Sequence, residues 1–198
     1  MCCQEHHAVG ELWENMQYTA KRLGWQMQGA GGCCGDTQRG RCGVGVAAPS
    51  HIGLTRVGEQ QFDLSPALSP GRLTAAWLDG GLKGGVVVAS AYLWHSEGVT
   101  PRNLALLQAA VDVAVRHGGP WLIGGDFNMT PEEMQADEAA RAWLNKLGGT
   151  IVAPSSPTCR SSDGGRVIDF FIIDKRVAHA VTTSSWRLTS HPARTALW

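Results

Sequence analysis

The segment Leu122-Ile123-Gly124-Gly125-Asp126-Phe127-Asn128 constrains this chain more than any other, because an apolar run leads directly into two polar side chains and then into a helix start. Residues 120–123 read as a short buried strand. Asp126 and Asn128 then stand at its carboxyl end, two residues apart and on one side for as long as the extended geometry persists. The carboxyl end of a strand is where an open α/β sheet holds its ligand. Gly124 and Gly125 carry no side chain and leave the backbone open to a bulky anion. Thr130-Pro131-Glu132-Glu133 supplies an N-cap, a first helical residue and a capping-box acid. In isolation, Gly-Asp-x-Asn is more often an ordinary turn than a site, so the rest of the chain decides.

With 198 residues, 43% of them hydrophobic, the chain is long enough for one soluble globular domain over residues 1–198 with a sizeable core. Its 17 basic and 17 acidic side chains cancel, which excludes a strongly basic nucleic-acid coat and leaves room for a local basic cleft. The longest apolar runs, near 86–92 and 167–173, fall short of the ~18 residues of a membrane span. Glu5 and its two neighbouring histidines spoil a signal peptide. An intracellular chain, in nucleus or cytoplasm and with no membrane partner, is expected. Cys2, Cys3, Cys33, Cys34, Cys42 and Cys159 form no paired C-x-x-C arrangement, so free thiols are expected rather than zinc or disulfides.

Taken in order, Val9, Leu12, Trp13, Met16, Ala20 and Leu23 predict a helix that stops at Gly24, with His6 and His7 on the surface before it. Residues 29–41 read as a loop, 43–47 and 72–78 as strands, and 85–93 as a buried strand that delivers Tyr92 to its end. Trp94 and His95 follow within reach of a nucleobase. Leu104, Leu107, Val111 and Ala114 predict a helix opened by Thr100-Pro101; Ala139, Ala140, Trp143, Leu144 and Leu147 predict another. Asp169 lies inside the apolar run 167–173, where a carboxylate is costly unless it is paired or hydrogen-bonded.

Gly125-Asp126-Phe127-Asn128 resembles the GDFN signature of the endonuclease/exonuclease/phosphatase superfamily, whose members include DNase I-like nucleases. Gln4-Glu5, Tyr92, Ile168-Asp169-Phe170 and Ser190-His191 resemble its other motifs and follow in its order. The resemblance implies a four-layer α/β sandwich, two packed sheets flanked by helices. It further implies a Mg²⁺-dependent phosphoesterase (Mn²⁺ as substitute), with Glu5 as the metal's carboxylate. Asp126 would orient or deprotonate water, Asn128, His191 and Tyr92 would bind the scissile phosphate, and Asp169 would orient His191. One carboxylate suffices chemically, since Mg²⁺ keeps several waters. Thr158 resembles a threonine that often precedes the strand of Asp169.

Two departures accompany the match. The family reads Ser-Asp-His where this chain has Thr189-Ser190-His191, and another strand, bearing an Asn, ordinarily precedes Gln-Glu. A domain truncated at its N-terminus, lacking the usual first strand and weak as a nuclease, is therefore expected. The resemblance favours a nucleic-acid endonuclease similar to retroelement-type and abasic-site-type domains, with nucleic acid as the partner and no protein partner inferable. Two alternatives stay open: a phosphatase or phosphodiesterase on a small molecule or lipid head group, and a non-catalytic remnant that keeps the fold.

Overall fold

A computed structural model describes residues 1–34, 40–57, 71–80, 83–159 and 165–180. In chain order these form β1 (Cys2–Gln4), α1 (Glu11–Arg22), β2 (Trp25–Ala30), β3 (Cys33–Cys34), β4 (Gly40–Arg41), β5 (Val44–Pro49), β6 (Gly53–Arg56), β7 (Leu73–Asp79) and β8 (Val86–Tyr92). The second half contributes α2 (Pro101–His117), β9 (Trp121–Asp126), α3 (Pro131–Ala136), α4 (Glu138–Leu147), β10 (Gly149–Val152), β11 (Asp169–Asp174) and a 3₁₀ turn at Lys175–Ala180.

The larger sheet runs β10-β11-β9-β8-β7-β6 and the smaller β1-β5-β2, with β3 and β4 forming a two-residue ribbon. Neighbours in the larger sheet are antiparallel except β8 and β9, which are parallel. A parallel pair requires a crossover, and α2 supplies it. Thr100 caps that helix by accepting the Asn103 amide at 3.3 Å, Pro101 starts it, and Gly118 closes it at φ 69°.

The two-residue period of β8 separates the layers. Val87, Ala89 and Ala91 pack with Leu106, Leu107, Ala110 and Ala114 of α2, and Trp143 and Leu144 of α4 join the same cluster. Val88 points the other way, into a smaller cluster with Cys2, Val46, Ala48, Leu54 and Ala76 between the sheets. On the outer face of the three-stranded sheet, Trp13, Met16 and Ala20 of α1 cover Cys3, Met27 and Ala47. The result is the expected four-layer α/β sandwich: α1, small sheet, large sheet, then α2 and α4.

Several local expectations need correction. Leu12 and Leu23 are 60% and 73% exposed, so the buried stripe of α1 is narrower than its apolar pattern. The stretch 29–41 is not all loop: β2 ends within it and β3 pairs β4 there. Strand β2 hides in Trp-Gln-Met-Gln-Gly-Ala because only Met27 and Gly29 face inward. Strand β9 runs on to Asp126, so Gly124 and Gly125 are interior strand positions rather than an open anion cradle. A Cβ on Gly124 would stand 2.6 Å from the Phe171 ring, and one on Gly125 2.5 Å from the Ala91 carbonyl oxygen. Among the described residues no helix is long and apolar enough to cross a membrane.

Candidate active site

Strand β1 is only three residues long, yet all three are buried. Cross-layer hydrogen bonds fix it. Gln4 Nε2 donates to Ser90 Oγ at 2.8 Å and to the Gly124 carbonyl at 3.4 Å, and Ser90 Oγ donates to the Cys3 carbonyl at 3.0 Å. These bonds tie the end of the small sheet to β8 and β9 of the large one. Burial makes them worth more than their surface equivalents, because a lost partner leaves a desolvated group behind.

Glu5 follows at φ 51°, an uncommon conformation for a residue with a side chain. Its Oε1 accepts a short hydrogen bond from the Tyr92 hydroxyl. Burial, then this bond and the Glu5 charge, push the Tyr92 phenol well above its ordinary pKa, so it stays a neutral donor. Tyr92 is in register with Asp126, and Asp126 with Asp169. Residues directly opposite on neighbouring strands share a face, so the three side chains form one row across β8, β9 and β11. That face looks toward the small sheet, and Glu5 reaches down to it.

Asp126 Oδ1 accepts the Asn128 amide at 2.9 Å. The extended geometry assumed for Asp126 and Asn128 does not persist: Asn128 adopts φ 52°, and Phe127 between them turns into the core to stack on Phe170 at 4.0 Å. Asn128 consequently points elsewhere. Its Nδ2 donates to the Leu93 carbonyl at 2.8 Å, and its Oδ1 lies 3.1 Å from His95 Nδ1. The reversal keeps Asn128 beside the row while aiming its amide at the loop after β8.

Asp169 is 6% exposed. Thr158 solves its burial: the hydroxyl donates to the carboxylate while accepting the Ile168 and Asp169 amides at 3.0 and 3.1 Å. One donor and two acceptor sites are all a hydroxyl offers, and all are used. Burial foremost, with the Glu5 charge adding, still pushes the Asp169 carboxyl up to about 6 against the opposing Thr158 bond. His191, the partner expected for Asp169, and Ser190 lie outside the described residues.

Arg72 and Ser90 escape the sequence reasoning, which gives Gln4 no role beyond its motif and places His6 on the surface. The Arg72 guanidinium lies 4.7 Å over the Tyr92 ring and 4.5 Å over Trp94, and its Nη1 donates to the Tyr92 and Leu93 carbonyls at 3.1 and 3.3 Å. Arg102 lies 3.6 Å over Trp94. Guanidiniums thus occupy the Trp94 ring expected to meet a base. His6, expected on the surface, is half-buried and stacked on Trp13 at 4.6 Å; burial lowers its pKa. Buried glutamine and serine leave no signature distinguishable from surface ones, and only the position of Arg72 just before an apolar strand hints at its place.

Among the described residues, no group of three or more His, Cys, Asp or Glu side chains is arranged to hold a metal. The donors that do gather here are oxygens, and the Glu5 charge adds to burial in raising the Asp169 carboxyl. Hard oxygen donors, few in number and crowded in charge, suit a Mg²⁺-like ion that keeps most of its waters, not a closed transition-metal cage.

Two packed sheets flanked by helices, with Asp126 and Asp169 in one row at the strand ends, give the fold of a phosphoesterase superfamily. The model of the Endonuclease/Exonuclease/phosphatase family matches residues 4–191, and the chain belongs to that family. Among solved structures, it is similar to the human Nocturnin catalytic domain with bound sulfate anion (TM-score 0.60, 17% identity, 87% of this chain and 68% of that one). It is also similar to ANGEL2, a 2′,3′-cyclic phosphatase (0.58, 14%, 87% and 68%), and to the endonuclease domain of TRAS1, a telomere-specific non-LTR retrotransposon (0.54, 13%, 87% and 76%). At these identities the likeness is one of fold. No curated protein sequence matches the chain.

Proposed function

We propose that this chain is a Mg²⁺-dependent phosphodiesterase of the endonuclease type, of retroelement character, acting on nucleic acid. The observation that carries the reading is the row of Tyr92, Asp126 and Asp169 with Glu5 held against it. Glu5, its carboxylate oriented by Tyr92, is the protein's metal ligand, and Mn²⁺ substitutes. Bound there, the cation supplies Lewis-acid stabilisation of charge on the phosphoryl oxygens.

The residues divide the remaining work. Asp126, steadied by the Asn128 amide, accepts the proton of a water whose oxygen attacks phosphorus as the ester oxygen leaves in line. Asn128 and His191 bind the scissile phosphate, Tyr92 borders it, and Asp169 holds His191. The roles of His191 and of Ser190 rest on the sequence alone. Nucleic acid is preferred as substrate because Arg72 and Arg102 flank the row beside the exposed His95, a local basic edge suited to a polyanionic backbone.

Purified protein is tested for plasmid nicking with Mg²⁺ and with chelator, in parallel with 2′,3′-cyclic nucleotide, phospholipid and inositol phosphate hydrolysis. Chelator-sensitive nicking, reduced about 10²–10³-fold or more in Asp126→Ala, is expected. Hydrolysis of the small substrates alone would transfer the activity to the phosphatase class. No turnover of any substrate by a folded, metal-loaded protein would make it a remnant.

A further inference from the structure

Glu5 and His7, on either side of His6, adopt φ 51° and 53°. Side chains rarely tolerate this region, and two such residues separated by one persist only where the surroundings impose them. Between them the His6 imidazole is fixed on several sides. Its Nδ1 accepts the Ala8 amide at 3.1 Å, which leaves the proton on Nε2, 3.2 Å from the Ala30 carbonyl oxygen. Its face stacks on Trp13 with centroids 4.6 Å apart and planes 11° apart. Its edge fills the place a side chain would take at Gly43, where a Cβ would stand 2.5–2.8 Å from three ring atoms and φ is 96°.

One side chain therefore joins four segments: the turn after β1, the end of β2, helix α1 and the entry to β5. The turn is held independently by the His7 amide donating to the Cys42 carbonyl at 3.0 Å and the Gly32 amide donating to the Ala8 carbonyl at 2.8 Å. Those backbone bonds tether the turn after His6. What they leave undetermined is the peptide between Gln4 and His6, which sets where the Glu5 side chain leaves the backbone.

We propose that His6 is a positioning residue for the metal site, wedged between the small sheet and α1 so that the left-handed turn at Glu5 aims its carboxylate at Tyr92. The inference rests on the reading of Glu5 as the metal ligand. It accounts for Gly43 as well, since any side chain there would evict the ring.

The test uses the whole chain and two readouts. The first is the ¹³Cζ resonance of Tyr92, sensitive to its hydrogen bond with Glu5, with exposed Tyr18 as internal reference. In folded His6→Ala the Tyr92 signal is expected to move in the same direction as in Glu5→Ala. In His6→Asn, whose Oδ1 can accept the Ala8 amide as Nδ1 does, it should return part of the way. The second readout is calorimetric titration with Mg²⁺ and Mn²⁺, in which His6→Ala should weaken binding at least tenfold at unchanged stoichiometry. A merely structural His6 would lower the melting temperature and leave both readouts of the folded fraction at wild-type values, and that result overturns the proposal. Wild-type protein that binds neither cation would instead overturn the metal reading of Glu5, while the Tyr92 signal still decides whether His6 sets the position of its side chain.

Discussion

The two faces of the large sheet are built from the same strands and behave as different materials. Toward α2, successive inward residues of β8 and β9 are Val87, Ala89, Ala91, Trp121 and Ile123, all packed in one apolar cluster with the helices. Toward the small sheet, the alternate residues begin apolar at Val86, Val88 and Leu122 and turn polar along the strand: Ser90 and Tyr92 on β8, Asp126 on β9. The helix face is held chiefly by apolar area, with few directional bonds such as Trp143 Nε1 donating to Gln108 Oε1 at 2.9 Å. The inter-sheet face is held by a smaller apolar cluster plus directional bonds through Gln4, Ser90 and Tyr92, and those bonds end at the candidate site. The candidate site is thus confined to one face by the two-residue period of a strand, so that a change on the helix face leaves it largely intact.

The contrast can be broken at its strongest point by Leu107→Ala, which deletes a fully buried α2 side chain. A loss of about 2–5 kcal/mol is expected in chemical denaturation, with metal affinity of the still-folded protein unchanged. An equal loss of metal affinity would show that the faces are not separable.

Asp169→Asn should act with the opposite sign. Its folded pKa, near 6, lies above the unfolded carboxyl value, so the folded state binds the proton more tightly. The stability from this group is therefore present at low pH and is lost as pH rises from the unfolded pKa through about 6. Removing the charge should stabilise metal-free protein above pH 7 by roughly 1–3 kcal/mol, and little near pH 4. Denaturation midpoints at the two pH values check it, and a pH-independent difference would contradict the burial account. Ser90→Ala sharpens the comparison further. It removes an acceptor from Gln4 and a donor from the Cys3 carbonyl, costing about 1–3 kcal/mol. Because it loosens β1, half-saturation with Mg²⁺ should also rise several-fold.

What the sequence disclosed follows the same division. Capped helices and apolar strands are written in local patterns, so α2, α4, β7, β8 and the Thr130 to Glu133 capping box are readable from the residues themselves. Asp169 announces its need for a partner because a lone carboxylate in an apolar run violates the cost of burial. That Thr158 answers the need is a matter of tertiary approach across eleven residues. Strand β2 and the wedge at His6 are not legible: Trp25-Gln26-Met27-Gln28 alternates for only two repeats before Gly29, too short a pattern to stand out, and a histidine before a helix looks like any surface histidine. The turn at Asn128 was missed for a related reason, since φ 52° there is imposed by Phe127 seeking the core against Phe170. Motif residues are visible in sequence as types; their aim is decided by packing several layers away.

In the proposed site a cation meets the row formed by Tyr92, Asp126 and Asp169 at Glu5. Crystals grown with Mn²⁺ and measured for its anomalous scattering test this directly. One Mn²⁺ is expected with a Glu5 carboxylate oxygen at about 2.1 Å, as hard octahedral cations take such ligands, water filling most other positions, and the peak absent from Glu5→Gln. A well-occupied Mn²⁺ remote from Glu5, or one at the row that persists unchanged in Glu5→Gln, would contradict it.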